Sequence, residues 1–230
     1  MRQALAKQLK QVSIIIAIMK IDMHNHTVFS DSTATPYQLV KAGKEKGIIP
    51  IITDHNTMAA EKEAKEASKK LSWPFIIGEE IKTSEGEIIG LMLNEAIPRG
   101  LSPGETLDRI KEQGAISYAP HPFSFTRFGI GGNLEILGKI DIIEVINARA
   151  SRITDNKALD FAKRNKKIMG AGSDSHWLGG FGRAYVETKD IGIATPQGLL
   201  DAARRGRPVL AKRVSKLENL YNRIRRTLRK

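Results

Sequence analysis

Apolar runs of strand length alternate with helical segments along most of this chain, and that rhythm limits the fold more than any other feature of the sequence. The runs fall at 20–24, 48–53, 75–81, 115–119, 141–146, 167–172 and 184–188. Between them, helix starts are marked three times by a hydroxyl residue followed by proline, at Thr35-Pro36, Ser102-Pro103 and Thr195-Pro196. The hydroxyl caps free backbone N–H groups, the proline ring presets φ for the first turn, and Glu105 completes a capping box with Ser102. Strands alternating with helices imply parallel strands joined by crossover helices, hence an α/β barrel or a doubly wound sheet. Ser84-Glu85-Gly86, between two short apolar stretches, interrupts the rhythm and predicts a hairpin added after the third strand. At 230 residues and 41% hydrophobic, the chain can bury one sizeable core. No internal repeat and no strand-to-helix phosphate loop is visible.

The chain has no cysteine and five histidines. Thiolate metal sites and disulfides are thereby excluded, a composition suited to a reducing cytosol, and any metal must rely on imidazole and oxygen ligands. The histidines lie in "DMHNHTVFSD" (His24, His26), "TDHN" (His55), "APHPF" (His121) and "GSDSH" (His176). Each is at or just past the carboxyl end of a predicted strand, the end at which α/β barrels build their sites. Asp31, Asp54, Glu79, Glu80 and Asp174 accumulate at the same end. Alternate strand residues face one side, so His24 and His26 share a face, as do Asp174 and His176. Imidazole with carboxylate suits Zn, Mn or Fe(II).

In this order the motifs resemble those of the PHP (polymerase and histidinol phosphatase) superfamily, and within it the stand-alone phosphoesterases. "DMHNHTVFSDS", "TDHN", "GEEI", "APHPF" and "GSDSH" match its first, second, glutamate, third and fourth motifs, covering about residues 20–190. The resemblance implies a distorted seven-stranded, TIM-like (β/α) barrel with two or three divalent ions (Zn, Mn or Fe) at its mouth. Carried over residue by residue, it assigns His24, His26, Glu80 and Asp174 to a first ion and Asp31, His55 and His176 to a second. Glu80 and His121 would hold a third. Glu80 is chosen over Glu79 because the family pattern is Gly, any residue, Glu, then an aliphatic, as in Gly78–Ile81. On the hairpin, Glu87 stands where many relatives carry a third-site histidine, and its carboxylate can serve as ligand or as a surface residue. Asp54 is expected to act behind the ligands rather than among them.

Such a site implies hydrolysis of a phosphoester by a hydroxide shared between two ions. It also needs a cationic clamp for the phosphate. Arg127, six residues after His121, is the first candidate, because a guanidinium engages two phosphate oxygens at once; Arg183 is the second, and Arg149 and Arg152 follow the fifth strand. Trp177 is expected to wall the pocket, with nucleobase stacking as the alternative. "GIGGN" at 129–133 reads as a loop over the site, with phosphate cradling as the alternative. The substrate implied is a nucleotide or short oligonucleotide. The alternatives are a histidinol-phosphate-type phosphatase and a non-hydrolytic PHP module with a structural or nucleic-acid-binding role.

The net charge of +12 is confined to the ends. Residues 204–230 hold eleven Lys/Arg against Glu218 alone, residues 1–20 hold four bases and no acid, and the stretch between is close to neutral. The sequence thus divides into an N-terminal extension at 1–19, a barrel domain at 20–210 and a basic C-terminal helix at 211–230. The apolar run Val12–Met19 imitates a signal peptide but is shorter than the roughly 20 residues a bilayer span needs, and Met19 is a plausible natural start. A cytoplasmic protein is expected. In the C-terminal helix, Val214, Leu217, Leu220, Tyr221, Ile224 and Leu228 recur at helical spacing. The stripe is expected to dock on the barrel or a partner subunit, leaving arginines free for a polyanion.

Overall fold

In the computed structural model of the protein, residues 18–189 and 192–227 are described; the expected N-terminal extension lies almost wholly outside the described residues. The chain runs β1 (Met19–Asp22), α1 (Pro36–Lys46), β2 (Ile48–Ile52), α2 (Glu61–Leu71), β3 (Ile76–Lys82) and β4 (Glu87–Leu91). It continues through α3 (Pro103–Glu112), β5 (Ile116–Ala119), α4 (Leu134–Lys139), β6 (Ile142–Asn147), α5 (Arg152–Arg164) and β7 (Ile168–Gly172). Last come β8 (Ala184–Thr188), α6 (Pro196–Arg205), β9 (Arg207–Leu210) and α7 (Lys216–Thr227). All three hydroxyl-proline signals open helices. Thr35 and Ser102 form capping boxes with Gln38 and Glu105, and Thr195 accepts from the Gly198 N–H. Each cap satisfies a donor that the first turn would otherwise leave unpaired.

The strands form one sheet in the order β7-β6-β5-β4-β3-β2-β1-β8-β9. Pairing is parallel along β1–β2–β3 and β5–β6–β7, and antiparallel where β4 enters between β3 and β5. The hairpin is therefore part of the sheet. Among the described residues the sheet has nine strands rather than the expected seven. The run at 184–188 pairs antiparallel to the outer side of β1 and carries β9, a strand concealed in sequence by its basic surroundings.

The sheet curls until its β1 and β7 members meet beyond their carboxyl ends. Met23 N–H donates to Ala171 O (3.2 Å), Asp174 N–H to His24 O (2.8 Å) and His26 N–H to Ser175 O (3.0 Å), and Asn25 faces Ser175 in a parallel bridge. Asn25 also ties the seam through its side chain. Its amide donates to the carbonyls of Asp22 and Ile51 and accepts from the Ser175 hydroxyl at 2.7 Å, all fully buried. Burial of Ile, Leu, Val and Ala on both sides of the sheet supplies the packing, one cluster centred on Ile49, Ile51, Ile77 and Tyr118, the other on Ile81, Ile88, Leu137 and Ile143.

The C-terminal helix does not dock its apolar stripe on the barrel, the first of its two expected placements. It meets the barrel through Glu218, Asn219 and Asn222, while Leu217, Leu220, Tyr221 and Ile224 are exposed. Among the described members of the apolar series only Val214, before the helix, is buried; Leu228 lies outside the described residues.

Replacing Asn25 by alanine would remove the acceptor of the Ser175 hydroxyl and two side-chain bonds to the carbonyls of Asp22 and Ile51, at about 1–3 kcal/mol in all. The expected result is a thermal midpoint lowered by roughly 5–10 °C in calorimetry. A midpoint within error of the parent would remove Asn25 from the closure.

Candidate metal centre

Strand register decides which side chains meet at the mouth. In the Asn25–Ser175 bridge those two residues share a face, so His24, His26, Asp174 and His176 take the opposite one. A second parallel bridge pairs His55 with Glu80, which brings Glu80 rather than Glu79 to the same space. Antiparallel pairing sets Glu80 opposite Ile89 and Lys82 opposite Glu87, so Glu87 joins Glu80 on the inner face. Glu79 points away and accepts from the Ile97 N–H at 2.8 Å.

The distances describe one continuous cluster. His24 and His26 approach Nε2 to Nε2 at 3.1 Å. Glu80 Oε2 lies 3.4 Å from His24 Nε2, 3.3 Å from His26 Nε2 and 3.1 Å from His55 Nδ1, and Oε1 lies 3.3 Å from His121 Nε2. Asp174 Oδ1 is 3.6 Å from His26 Nε2. Asp31 Oδ1 is 3.1 Å from His176 Nε2 and 3.7 Å from His55 Nε2. Glu87 reaches His55 at 3.8 Å and His121 at 3.9 Å. Four overlapping groups have ligand atoms within 4.8 Å of one another: His26/Asp31/His55/His176, His24/His26/Asp174, His24/Glu80/His121 and His55/Glu80/Glu87. Every residue that the sequence nominates as a ligand is in one of them.

Two features fit this cluster to divalent cations. The Glu80 carboxylate is 1% exposed and neither oxygen receives a well-aligned hydrogen bond, a costly arrangement unless a cation supplies the missing partner. Arg149 supplies the second: its Nη1 lies 2.9 Å from Asp174 Oδ1 and 2.5 Å from His176 Nδ1, so a positive group already sits where this pair converges. The donor set, nitrogen and oxygen without sulfur, suits Zn, Mn or Fe(II).

The electrostatics follow from the crowding. Burial raises the Glu80 carboxyl, but His24 and His55 outweigh it and hold the pKa well below the ordinary value. Burial disfavours the His24 imidazolium, yet Glu80, Glu144 and Asp174 raise its pKa well above the ordinary value. His26 is driven down to about 3 by burial and by His176 and His55, so at neutral pH it carries no charge. Burial and the Glu80 charge push Glu87 up to about 9.

Residues behind the cluster orient it. Glu144, from β6, accepts from His24 Nδ1 (3.2 Å), the Tyr118 hydroxyl (2.9 Å), His121 N–H (2.6 Å) and the Asn147 amide (2.9 Å). A carboxylate beside Nδ1 places the imidazole proton there and leaves Nε2 to face the cluster. Gly172 makes room for this contact, since a Cβ would collide with His24 and with Glu144. The signal for Glu144 is present in sequence as an acid inside the apolar run "DIIEVI", but it was not among the candidates. Asp54 accepts from Thr27 N–H (2.7 Å), Thr27 Oγ1 and Ser30 Oγ, which fixes the loop that delivers Asp31. His121 and Asp174 adopt φ of +30° and +52°, conformations L-residues seldom take and which cluster at functional sites.

Of the arginines, Arg127 reaches the cluster, with Nη1 3.1 Å from Asp174 Oδ2 and from Asn147 Oδ1. Arg149 does so as well. Arg183 does not: both its terminal nitrogens are held by Glu218 (3.0 and 3.2 Å), and its guanidinium lies over Trp177. Arg152 is exposed at the start of α5. Gly129 and Gly131 press against the Pro122 carbonyl, with Gly131 N–H donating to it at 2.7 Å, so "GIGGN" packs behind the His121 turn and no phosphate cradle forms.

Residues 22–97 match the PHP domain family and residues 153–208 the PHP-associated family, segments that between them hold every motif except that of His121. The chain belongs to the PHP family. An uncharacterized protein of Methanocaldococcus jannaschii is 38% identical over 189 residues, 79% of this chain and 75% of that one. A 5'-3' exoribonuclease of Haemophilus influenzae is 30% identical over 102 residues, 42% of this chain and 37% of that enzyme. A two-domain protein of Bacteroides vulgatus containing a predicted PHP-like metal-dependent phosphoesterase superposes with a TM-score of 0.69 at 20% identity. That match covers 84% of this chain and 65% of the other, and it establishes the shared PHP fold.

Glu87 is protonated below about pH 9 without metal and must lose that proton to ligate. Ion uptake should therefore release one more proton per chain in the parent than in Glu87→Gln when calorimetry is run near neutral pH in buffers of differing ionisation enthalpy. The parent's affinity should rise with pH up to about 9. Equal proton release in both proteins would place Glu87 outside the ligand set.

Proposed function

We propose that the protein is a metal-dependent phosphoesterase acting on a nucleotide or short oligonucleotide. The observation that carries this reading is the Glu80 carboxylate, buried among His24, His26, His55 and His121 with no well-aligned hydrogen bond to either oxygen, and with Arg127 and Arg149 converging on Asp174 beside it. His24, His26, Glu80 and Asp174 would hold a first ion, Asp31, His55 and His176 a second, and Glu80, His121 and Glu87 a third. Divalent ions bound there supply charge neutralisation and lower the pKa of an attacking water.

The chain's own residues provide the rest. Arg127 and Arg149 set two guanidinium charges beside Asp174, and both are fixed in place: Arg127 by Asn147 and the Arg149 carbonyl, Arg149 by Asn219. Their charge near the phosphoryl oxygens favours the state in which negative charge accumulates there. Glu144 and Asn147 hold His24, His121 and the two arginines in one bonded frame, so little rearrangement accompanies substrate binding.

The nucleotide part of the reading rests on the rim. Phe29 precedes Asp31 on its loop, and Phe125 and Phe128 flank Arg127; all three are exposed, Phe125 at 97%. Lys82 Nζ stands 4.6 Å from the Phe128 ring centroid. Exposed rings beside a phosphate-binding arginine suit a base stacked next to its own phosphate. The likeness to the exoribonuclease supports the same substrate class.

The purified protein should carry two or more divalent ions, and His24→Ala should lose at least one, as measured by elemental analysis. Aryl phosphate hydrolysis should stop with chelator and return with Mn or Zn. Undiminished turnover in the metal-free protein would refute the mechanism.

A Phe125→Ala/Phe128→Ala variant should raise KM for a mononucleotide about tenfold or more, given roughly 1–3 kcal/mol per stacked base, and leave glycerol phosphate hydrolysis unchanged. Equal effects on both substrates would assign the rings to packing instead.

A further inference from the structure

The C-terminal helix turns its polar edge to the barrel and its apolar stripe outward, and that inversion defines a second surface. Glu218 accepts from Arg183, Asn219 from Arg149, and Asn222 is buried. On the far side Leu217 is 79% exposed, Leu220 50%, Tyr221 64% and Ile224 51%. These four occupy positions i, i+3, i+4 and i+7, one continuous face of two turns. A contiguous apolar face of this kind on a protein surface marks a contact site.

Charge selects the partner. Residues 204–230 carry eleven bases against the single acid Glu218, which is held by Arg183; Arg204, Arg207 and Arg213 pair with Asp201, Glu187 and Asp155, and the segment stays strongly positive with those acids counted. A second copy of this chain would bring two such segments together. The residues preceding Met19 carry Arg2, Lys7 and Lys10 with no acid, and would be repelled in the same way. Nucleic acid would neutralise the bases but leave the leucines wet. An anionic lipid surface meets both demands, because its acyl boundary accepts the stripe while its headgroups neutralise the flanking bases. Tyr221 suits that boundary, having an apolar ring and a polar tip. The N-terminal segment, with bases ahead of the apolar run Val12–Met19, has the same chemistry.

We infer that α7 is a membrane-surface docking helix that seats the protein on anionic lipid, with the barrel mouth adjacent through the Asn219–Arg149 contact. The inference goes beyond the proposed activity and does not depend on it. It is tested by co-sedimentation of the full chain with vesicles of phosphatidylcholine alone and of phosphatidylcholine mixed with phosphatidylglycerol. Binding to the mixed vesicles should be at least about tenfold tighter than to neutral ones and should weaken with salt. A Leu217→Asp/Ile224→Asp variant should lose at least about tenfold of that binding with its near-ultraviolet circular dichroism unchanged, and Leu217→Gln/Ile224→Gln, which adds no charge, should lose part of it. Three results would overturn the inference. They are a full chain that ignores anionic vesicles, a Gln pair that binds them like the parent, and a dimer by light scattering that the Gln pair converts to monomer.

Discussion

The short seam between residues 23–26 and 171–175 is the constraint on which the site depends. Each of its backbone hydrogen bonds is ordinary, worth about 1 kcal/mol net. Their effect on geometry is larger, because side-chain alternation along a strand has a period of two. Once Asn25 is bridged to Ser175, the flanking residues of both segments have a single possible facing. A slip of one position would bury Asn25 and Ser175 in the mouth and turn both imidazoles of the first motif, and Asp174 with His176, into the wall. The Asn25 side chain resists that slip through its three buried bonds. The fold thus fixes the composition of the site before any interaction within the site is considered.

What the seam assembles is electrostatically unfavourable in isolation. Three carboxylates, Glu80, Asp174 and Glu144, are buried within contact of five imidazoles, and only some of their charge is compensated internally. Asp174 has Arg127 and Arg149, and these hold its pKa well below the ordinary value against the burial that would raise it. Glu144 has four donors. Glu80 receives no well-aligned hydrogen bond and is held ionised by the imidazoles around it, and of the three it is nearest the largest number of them. Stability is given up at Glu80, and at the left-handed His121 and Asp174, in exchange for a cluster whose side chains can hold divalent ions.

How much of this was legible in the sequence follows from the range of the interactions involved. Hydroxyl-proline caps act within four residues, and all three were readable at Thr35, Ser102 and Thr195. The five histidines were readable because strand ends can be located locally and the barrel brings those ends together. The Glu79–Glu80 choice could not be made from alternation, since it depends on the His55–Glu80 bridge between two strands. Glu144 was missed although an acid within "DIIEVI" is conspicuous; its partner His24 is 120 residues away, and no local pattern states that pairing. Arg183 was nominated as a clamp and is engaged by Glu218, thirty-five residues on. The strand at Arg207–Leu210 was hidden because its pairing with β8 places it at a solvent-facing sheet edge, where polar residues are tolerated.

The C-terminal helix failed the sequence reading for a different reason. Periodicity identifies an apolar face, and for a globular domain the usual inference is that this face packs inward. Here the barrel surface that receives the helix is itself polar. Arg149 and Arg183 project from the β6–α5 and β7–β8 connections and need acceptors, which the C-terminal segment meets with Asn219 and Glu218, while its own Arg213 donates to Asp155 of α5. Arg213 also donates to the carbonyls of Asn147 and Ala150, and Val214 N–H to Ala148 O, so the segment is stitched along the loop that carries Arg149. Two barrel guanidiniums that would otherwise be desolvated without these partners, with the Arg213–Asp155 pair beside them, outweigh what a stripe of four apolar residues would gain against such a surface. The helix turns its polar edge inward for that reason, and in doing so it holds Arg149 against Asp174 and His176.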